Sequence, residues 1–518
     1  MASTIKHDFV VVGGGLAGLR AALEARFSGI DVAVISKVFP LRSHSCMAQG
    51  GMNAALGNRP DNIDDSPEAH AFDTIKGSDY LADQDAVEAM TREGIEIVYE
   101  MEHWGCPWSR LENGKIAQRP FGGQSFSRTC FGADKTGLYL LQTLYEQCLK
   151  HGVRFYDEFF VLSLVVREQR CLGVVAIDIA KGELYDFQAG ATAFATGGAG
   201  RLFSLTSNSL ISTGHGVAMA YLAGVPAKDM EFFQFHPTTL VGHGTTISEG
   251  LRGAGAHLVN GEGERFMSRY VSENVMERAP RDITARSIQT EIDEGRGIDG
   301  KAFVHLDVRH LGADWMRENF PGVVEVCEEF RKIDATREPI PVRPGAHYMM
   351  GGIDVDIDCA TEVKGFYAAG EGACVSVHGA NRLGANSLLE TIVFGRRAGR
   401  SVTRYLNDAH EKHSETAMTD AIRAQEDALR ALMDGSGNEE PSQLRKEMNQ
   451  TMDKGVTLFR SEESLNEAAE SLRGIQDRYD YMRPIHSGKR FNFDLISAFE
   501  LKGSLYLAAV VVAGALAR

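Results

Sequence analysis

A strand–turn–helix pattern near the start of the chain restricts its fold more than any other feature. Residues 8–12 are an apolar run typical of a buried parallel strand, and Gly-Gly-Gly-Leu-Ala-Gly follows at 13–18. The next segment, 19–27, predicts a helix. Gly13 permits a tight turn, Gly15 lets backbone approach a pyrophosphate, and Gly18 lets the helix pack closely on the strand. The pattern predicts a Rossmann-like dinucleotide-binding unit with phosphates at the helix N-terminus.

The second strand argues against NAD as the bound dinucleotide. It is predicted at 32–35 and ends in Ser36 and Lys37. An NAD-binding unit carries an acidic residue at this place, because a carboxylate accepts the hydrogen bonds of the ribose hydroxyls.

The length and net charge of the chain indicate a globular protein of several domains. The 518 residues suffice for roughly two to four domains with a large core. The net charge of −16 is spread along the chain, so direct binding to nucleic acid or to an anionic membrane surface is not expected. An anionic substrate would need a locally basic pocket.

Cysteine spacing and hydropathy predict the cellular compartment of the chain. The eight cysteines are scattered without a Cys-x-x-Cys pair, which predicts reduced thiols in a cytosolic compartment and no metal or iron–sulfur cluster held by this chain. Residues 1–7 lack a signal core, and no run reaches the roughly 18 apolar residues of a membrane helix. The longest, 505–517, predicts a buried helix that reaches the last residue without a stop signal. We therefore expect a soluble chain, shortened at its C-terminus.

The order of patterns predicts an interrupted α/β nucleotide-binding domain. Strand-like runs occur at 161–166 and 174–179, and strands running into glycine turns occur at 191–200 and 365–371. Glu371, at the end of the last, is expected to accept a ribose hydroxyl. The predicted domains are a nucleotide-binding domain in two parts (1–235 and 346–405), an inserted α+β capping domain of mixed helix and irregular structure (236–345), and a helical domain (406–518).

Short polar motifs suggest a site for a compact dicarboxylate. They contain histidines beside a proline or glycines, a hydroxyl, an acid and arginines; the residues are His236, Ser248, Glu249, Arg252, Arg281, His347 and Arg382. Arginine grips carboxylates bidentately and keeps its charge, which is why several arginines with histidine and hydroxyl donors suit such a ligand.

With Ser-His-Ser-Cys-Met-Ala-Gln-Gly-Gly at 43–51 and His-Gly-Ala-Asn-Arg at 378–382, these motifs resemble the flavoprotein subunits of succinate dehydrogenase and fumarate reductase. The resemblance extends from residue 8 to the end of the chain. It implies a Rossmann-like FAD-binding domain and FAD bound covalently through His44. The positions matching the family's FAD contacts are Gly13, Gly14, Gly15, Gly18, Ser36, Lys37, Ser43, His44, Ser45, Gln49, Gly50, Gly51, Gly198, His215, Glu371, Arg382, Ser387 and Leu388.

Two positions depart from the family pattern. His215 stands where most members have an aspartate, so its contact with FAD is the least secure of the set. Ser248 stands where the family usually has threonine, which keeps the hydroxyl.

The resemblance also implies catalytic roles. The matched substrate ligands are His236, Ser248, Glu249, His347 and Arg382, with His236 also in the catalytic set. Arg281 is expected to exchange a proton with a substrate carbon, while Glu249 and Arg252 relay protons to solvent. Hydride would pass between succinate or fumarate and flavin N5.

The implied partners are a separate iron–sulfur subunit and, through it, quinone and membrane anchor subunits, with no nucleic acid. The expected location is cytoplasmic, on the inner face of the cell membrane. Family members continue beyond residue 518 with an Arg-Gly-x-His motif, and we expect that lacking it impairs assembly or covalent attachment of the flavin.

Two other functions remain open from the sequence. One is an L-aspartate oxidase-like flavoenzyme, which His44 in Ser-His-Ser and Arg382 count against. The other is a flavin-loaded electron-transfer subunit without dicarboxylate turnover, which Arg281, Glu249 and Arg382 count against. The physiological direction also stays open, although the short 123–135 segment favours fumarate-reductase-type members.

Overall fold

A computed structural model describes residues 3–408, 415–435 and 437–518 of the chain. The first part contains β1 (Ser3–Val12), α1 (Leu16–Phe27), β2 (Val32–Ser36), β3 (Met52–Asn53), α2 (Pro67–Gly77), α3 (Gln84–His103), β4 (Gln118–Arg119), β5 (Thr129–Cys130), α4 (Thr136–Lys150), β6 (Arg154–Asp157), β7 (Phe159–Arg167), β8 (Arg170–Asp178), β9 (Glu183–Phe194), α5 (His215–Leu222) and β10 (Ala227–Lys228).

The middle part contains β11 (Phe233–Leu240), α6 (Glu249–Gly253), β12 (His257–Val259), α7 (Arg281–Asp293), β13 (Val304–Asp307), α8 (Ala313–Asn319), α9 (Pro321–Arg331) and β14 (Ile340–Met349). The last part contains β15 (Gly352–Asp354), β16 (Phe366–Ala368), β17 (Ala373–Cys374), α10 (Asn386–Asp408), α11 (Glu415–Met433), α12 (Pro441–Gly455), α13 (Glu462–Tyr479) and α14 (Phe493–Ala517). Short 3₁₀ turns include Pro40–Arg42, His44–Met47 and Gly200–Leu202.

The central sheet is seven-stranded, in the order β6-β2-β1-β9-β8-β7 with β16 also on β9. β1 is parallel to β2 and β9, β2 to β6, and β9 to β16. Val12, the last residue of β1, pairs with Ile35 of β2 and Phe194 of β9. The carboxyl ends of these parallel strands therefore meet at one edge, the place where open α/β sheets bind ligands.

The glycine turn was predicted correctly, but the helix after it begins earlier than predicted. α1 starts at Leu16, and the amide of Leu19 already donates to the carbonyl of Gly15. Gly18 lies within the first turn, where a Cβ would come within 2.0 Å of the Gly13 carbonyl oxygen. The close approach that requires glycine is thus between the helix and the turn.

The segment 236–345 contains more strand than the irregular pattern predicted. β11, β14, β13 and β12 form a four-stranded antiparallel sheet. Buried apolar residues between Leu240 and Val342 form a cluster of their own, separate from the main core that packs around β1, α1 and α10. Because β11 begins before residue 236 and β14 ends after 345, two strands connect this sheet directly to the rest of the chain.

The C-terminal helix was predicted too short. α14 begins at Phe493 rather than at residue 505, and Asn492 caps it by accepting a hydrogen bond from the Leu495 amide at 2.9 Å. In the described parts of the chain this is the one helix long and apolar enough to cross a membrane, and most of its apolar stretch is buried in the fold. A buried helix is thus confirmed, with a longer extent.

The glycine turn generates a prediction about stability. Gly13 has φ +115°, and a Cβ there would lie 2.1 Å from the Ala195 carbonyl oxygen, whereas Gly29 has φ +83° with open space around it. Gly13→Ala should lower the free energy of unfolding by about 3 kcal/mol, from strain plus steric overlap. Gly29→Ala should cost about 1 kcal/mol, from backbone strain alone. Urea unfolding of both variants measures the difference, and equal midpoints would contradict it.

Candidate active site

One cavity of about 710 Å³ lies at the edge where the parallel strands end. Its size is within the range of pockets that hold cofactors and small substrates. The wall is built from the glycine turn after β1, the ends of β2, β9 and β16, residues of the antiparallel sheet, and Glu500 of α14. Residues far apart in the sequence therefore share a single cavity.

The glycine turn forms one end of the cavity. Gly13, Gly14 and Gly15 line it. A Cβ on Gly14 would meet Pro40 at 3.2 Å, and one on Gly15 would meet the Ser43 hydroxyl at 3.0 Å. The Leu16 amide at the start of α1 donates to Ser45 Oγ at 3.4 Å. Because the glycines carry no side chain, backbone can lie close to a ligand at this helix N-terminus, so this end fits the pyrophosphate of a dinucleotide. Gly18 lies behind the turn and does not line the cavity.

His44 stands in the wall at the start of a 3₁₀ turn, between Ser43 and Ser45, which also line the cavity. Its Nδ1 accepts a hydrogen bond from the Ser209 amide at 3.3 Å. Burial lowers the pKa of His44 to about 4, so the ring is neutral at pH 7. Because Nδ1 acts as an acceptor, Nε2 is the nitrogen left for another partner.

Two residues that the sequence did not predict contact the loop of Gln49, Gly50 and Gly51. Arg119 donates to the carbonyl oxygens of Gln49 at 2.9 Å and Gly50 at 3.1 Å. The ring of Phe121 packs against Gly50, where a Cβ would come within 3.0 Å of it. Phe121 lines the cavity, and its place before Gly-Gly was the available signal.

Glu371 extends into the cavity from the turn after β16. Its Oε1 accepts a hydrogen bond from the Met349 amide at 3.1 Å. Burial raises the pKa of Glu371 to about 7, partly offset by the Met349 amide and Arg382. Gly198 contacts this carboxyl, since a Cβ on it would lie 2.1 Å from Oε1, while Gly197 lines the cavity itself.

Ser36 and Lys37 line the cavity beside the glycine turn, where a Cβ on Gly14 would lie 3.1 Å from Ser36 Oγ, and a residue not found from the sequence joins them there. Lys37 Nζ lies 2.6 Å from Glu500 Oε1, and Thr213 Oγ1 donates to the same oxygen at 3.0 Å. His215 donates from Nε2 to the Val161 carbonyl at 3.1 Å and stacks on Phe160. The carboxylate at this end thus comes from α14, 463 residues from Lys37.

The predicted substrate residues meet at the opposite side, where His236, Ser248, Glu249, Arg281, His347 and Arg382 all line the cavity. The rings of His236 and His347 lie 5.1 Å apart. The Thr238 amide donates to His236 Nδ1 at 3.3 Å, and Ser207 Oγ lies 2.7 Å from His347 Nδ1. Burial and the nearby arginines hold the pKa of both histidines well below the usual value, so they are neutral.

Arg281, Glu249 and Arg252 form a chain leading away from the cavity. Arg281 Nε donates to Glu249 Oε2 at 2.7 Å, and Arg252 Nη2 lies 3.4 Å from Glu249 Oε1. Burial raises the pKa of Glu249, but the charges of Arg281 and Arg252 outweigh it and hold the pKa below its usual value. Arg252 is buried behind Glu249, outside the cavity wall.

Gln234 accepts hydrogen bonds from both arginines, Arg281 and Arg382, and the sequence did not predict it as a site residue. Its Oε1 accepts hydrogen bonds from Arg281 Nη1 at 3.2 Å and Arg382 Nη2 at 3.0 Å. Its Nε2 donates to Asn381 Oδ1 and to the Arg382 carbonyl, which fixes the orientation of the amide. Gln234 precedes His236 by two residues in β11, and the two-residue period of a strand was the signal that could have found it.

Ser387 and Leu388, in the first turn of α10, line the cavity as well.

In the described part of the chain, no group of three or more His, Cys, Asp or Glu side chains is placed to hold a metal ion. All eight cysteines are described, and none forms a disulfide.

Comparison with known proteins decides the family. The FAD binding domain family matches residues 8–388, and the fumarate reductase flavoprotein C-terminal family matches 445–518. The fumarate reductase flavoprotein subunit of Mycobacterium tuberculosis is 43 % identical over 534 residues, covering 99 % of this chain and 90 % of the relative. The chain belongs to the succinate dehydrogenase and fumarate reductase flavoprotein family.

Two further similar proteins support the same family assignment. The succinate dehydrogenase flavoprotein subunit of Coxiella burnetii is 44 % identical over 96 % of this chain and 87 % of its own length. The solved FrdA chain of E. coli quinol fumarate reductase is 38 % identical, with a TM-score of 0.95 over 100 % of this chain and 90 % of that one. The resemblance, the α/β fold class, the enzyme class and FAD as cofactor are confirmed.

The environment of Glu371 generates a prediction about pH. Because burial raises its folded-state pKa from 4.5 to about 7, the folded protein binds more protons than the unfolded chain between these values. The FAD-free protein should therefore lose stability as pH rises from 5 to 8, and Glu371→Gln should reduce that loss by about 2 kcal/mol, since the side chain is only half-buried. Urea unfolding at both pH values measures it. The exposed Glu362→Gln serves as the control, and the same loss in Glu371→Gln as in the parent protein would contradict the prediction.

Proposed function

We propose that this protein interconverts succinate and fumarate, exchanging electrons with an iron–sulfur subunit. Family membership supports the activity, and one observation in the site carries the assignment of residues. Two arginines, Arg281 and Arg382, enter one cavity and share the amide oxygen of Gln234, facing the neutral histidines His236 and His347. Two cations with neutral donors in one buried space suit a ligand that carries two carboxylates.

The chain's own residues hold the substrate. Arg382 can bind one carboxylate through its guanidinium, and His236, His347 and the Ser248 hydroxyl can donate to carboxylate oxygens, because all four line the cavity. Neutral histidines suit this role, since they donate hydrogen bonds without releasing protons near pH 7. Holding both carboxylates polarises the carbon–carbon double bond of fumarate toward hydride addition.

Proton transfer is assigned to Arg281. FAD supplies hydride transfer, and the proton goes to or comes from the neighbouring carbon. Of the two arginines, Arg281 is the one that bonds to a carboxylate: Glu249, 2.7 Å from its Nε, can return a proton to it after turnover in the fumarate direction. Arg252 lies next to Glu249 and extends this path away from the cavity.

We propose that FAD is attached covalently through Nε2 of His44. The support is geometric, since Nδ1 of His44 is occupied by the Ser209 amide and the neutral ring lies in the cavity wall. The other cofactor contacts proposed are those of the turn, loop and strand-end residues that line the same cavity.

The partners are proposed from the relatives. Relatives 43 % and 44 % identical to this chain are named subunits of fumarate reductase and succinate dehydrogenase, and a solved relative is a quinol fumarate reductase. We propose that electrons pass between this chain, an iron–sulfur subunit and quinone, with the chain held on the inner face of the cell membrane through anchor subunits.

Turnover tests the function. The FAD-loaded protein should reoxidise a reduced viologen dye when fumarate is added. Arg281→Ala should lower the rate at least about 100-fold, because positioned acid catalysis contributes on the order of 10² to 10⁴. Arg286→Ala is the control, since Arg286 lies on the same helix α7 but pairs with Asp282 at the surface. No fumarate turnover with FAD bound, or oxidation of aspartate by oxygen, would reject the proposal in favour of the alternatives.

Covalent attachment is tested separately. The parent protein, denatured and run on a gel, should keep flavin fluorescence, whereas His44→Ala should release all of its flavin while still binding FAD before denaturation. His243→Ala is the control, because His243 lines the cavity rim but lies 2.6 Å from Thr245 Oγ1 through Nδ1 and stacks on Phe330. Fluorescence that persists in His44→Ala would place the bond elsewhere.

A further inference from the structure

Arg382 is a buried cation whose surroundings contain no anion at close range. Its side chain is 3 % exposed. Among the described residues, Arg382 forms no ion pair. By contrast, Arg281 pairs with Glu249, and Arg252 lies beside the same carboxylate. A buried charge without a counter-ion costs free energy unless other groups stabilise it. The groups that do so decide where the guanidinium lies.

The Leu383 carbonyl accepts a hydrogen bond from Arg382 Nη1 at 3.3 Å. Two side chains also stabilise Arg382, and they come from one cross-strand pair. Its guanidinium carbon lies 4.6 Å from the ring centroid of Tyr348, within the range of a cation–π contact. Its Nη2 donates to Gln234 Oε1 at 3.0 Å. Gln234 of β11 and Tyr348 of β14 are paired in register, so the two strands present both groups together.

Tyr348 is fixed in turn by a residue outside the cavity. Its hydroxyl donates to Glu390 Oε2 at 3.2 Å. Glu390 lies on α10, 4 % exposed, and does not line the cavity. The ring of Tyr348 is therefore held at both ends, by its strand and by α10, with one face toward Arg382.

We propose that Glu390 is a positioning residue for the dicarboxylate site: it holds the ring of Tyr348 beneath Arg382, so that this arginine stays in place without an anionic partner and remains available to a substrate carboxylate. The proposal rests on the function proposed above. Glu390 acts only through Tyr348, and its effect is on binding of the dicarboxylate rather than on binding of FAD.

The charge of Glu390 is consistent with this role. Burial raises the pKa of Glu390 to about 8, so at pH 7 it is mostly uncharged and does not compete for Arg382. Above that pH its carboxylate would attract the guanidinium away from the substrate. The titratable groups that face Glu390 or influence it are Tyr348 from β14, Cys359 and Glu371 from the segments flanking β16, and Arg382 from the segment before α10.

The experiment measures kcat and KM for fumarate in the full FAD-loaded protein, with malonate titrated against the FAD absorption band as a direct measure of dicarboxylate binding. Glu390→Ala and Tyr348→Phe should each raise KM and the malonate Kd by about five- to tenfold, the effect of one lost hydrogen bond, with a smaller change in kcat. The double variant should be no worse than Tyr348→Phe alone, because both changes remove the same contact.

Glu390→Gln keeps an acceptor for the Tyr348 hydroxyl and should restore most of the binding that Glu390→Ala loses. The parent protein should show a rise in KM above pH 8, and Glu390→Gln should remove it. Tyr367→Phe is the control, since this buried tyrosine bonds to Ser401 of the same helix α10 and has no contact with Arg382 among the described interactions. It should leave KM unchanged.

Several results would overturn the proposal. An unchanged KM and malonate Kd in Glu390→Ala with FAD bound, additive losses in the double variant, or equal losses in Tyr367→Phe would each do so. If Glu390→Ala does not fold, Glu390→Gln and Tyr348→Phe test the same contact through the pH profile and the malonate Kd. Failure of the parent protein to turn over fumarate would instead reject the proposed function.

Discussion

The convergence of parallel strands at one edge of the central sheet is the constraint on which the site depends. β1, β2, β9 and β16 lie side by side with one polarity, so the segments following each of them must meet. The glycine turn, Lys37 and Glu371 all follow such strands. The close contact between Gly13 and the Ala195 carbonyl fixes the spacing of two of these segments, because a larger side chain would separate them.

The electrostatics of the proposed substrate site follow from burial of several arginines in a small volume. Arg281 and Arg252 share Glu249 and are thereby neutralised in part. Arg382 differs, since an aromatic face and an amide oxygen stabilise it without cancelling its charge. Burial lowers the pKa of Arg382 to about 10, which still leaves it cationic at neutral pH. A net positive charge in the cavity is what an anionic substrate requires in a chain whose total charge is −16.

Prediction from the sequence succeeded for the fold class and the cofactor, which depend on local patterns. The turn at 13–18 could be recognised from the sequence because a strand, glycines at fixed spacings and a helix follow one another directly. The residues predicted to bind substrate were chosen from short motifs; the structure brings six of them to one cavity, and their role stays a prediction. Boundaries were less accurate: α1 begins three residues earlier and α14 twelve residues earlier than expected. Helix starts depend on capping and packing, which apolar periodicity does not report.

Sequence alone determined that this chain binds a dinucleotide, and it supplied the arginines and histidines that we propose for a dicarboxylate site, because both depend on residue types at short spacings. Only the tertiary structure decided which residues from distant parts of the sequence contact these site residues. Glu500 reaches Lys37 across most of the chain, Gln234 bridges Arg281 and Arg382, and Glu390 reaches Arg382 through Tyr348. Such contacts join elements whose relative positions are set by packing of the whole fold, and no local pattern records them.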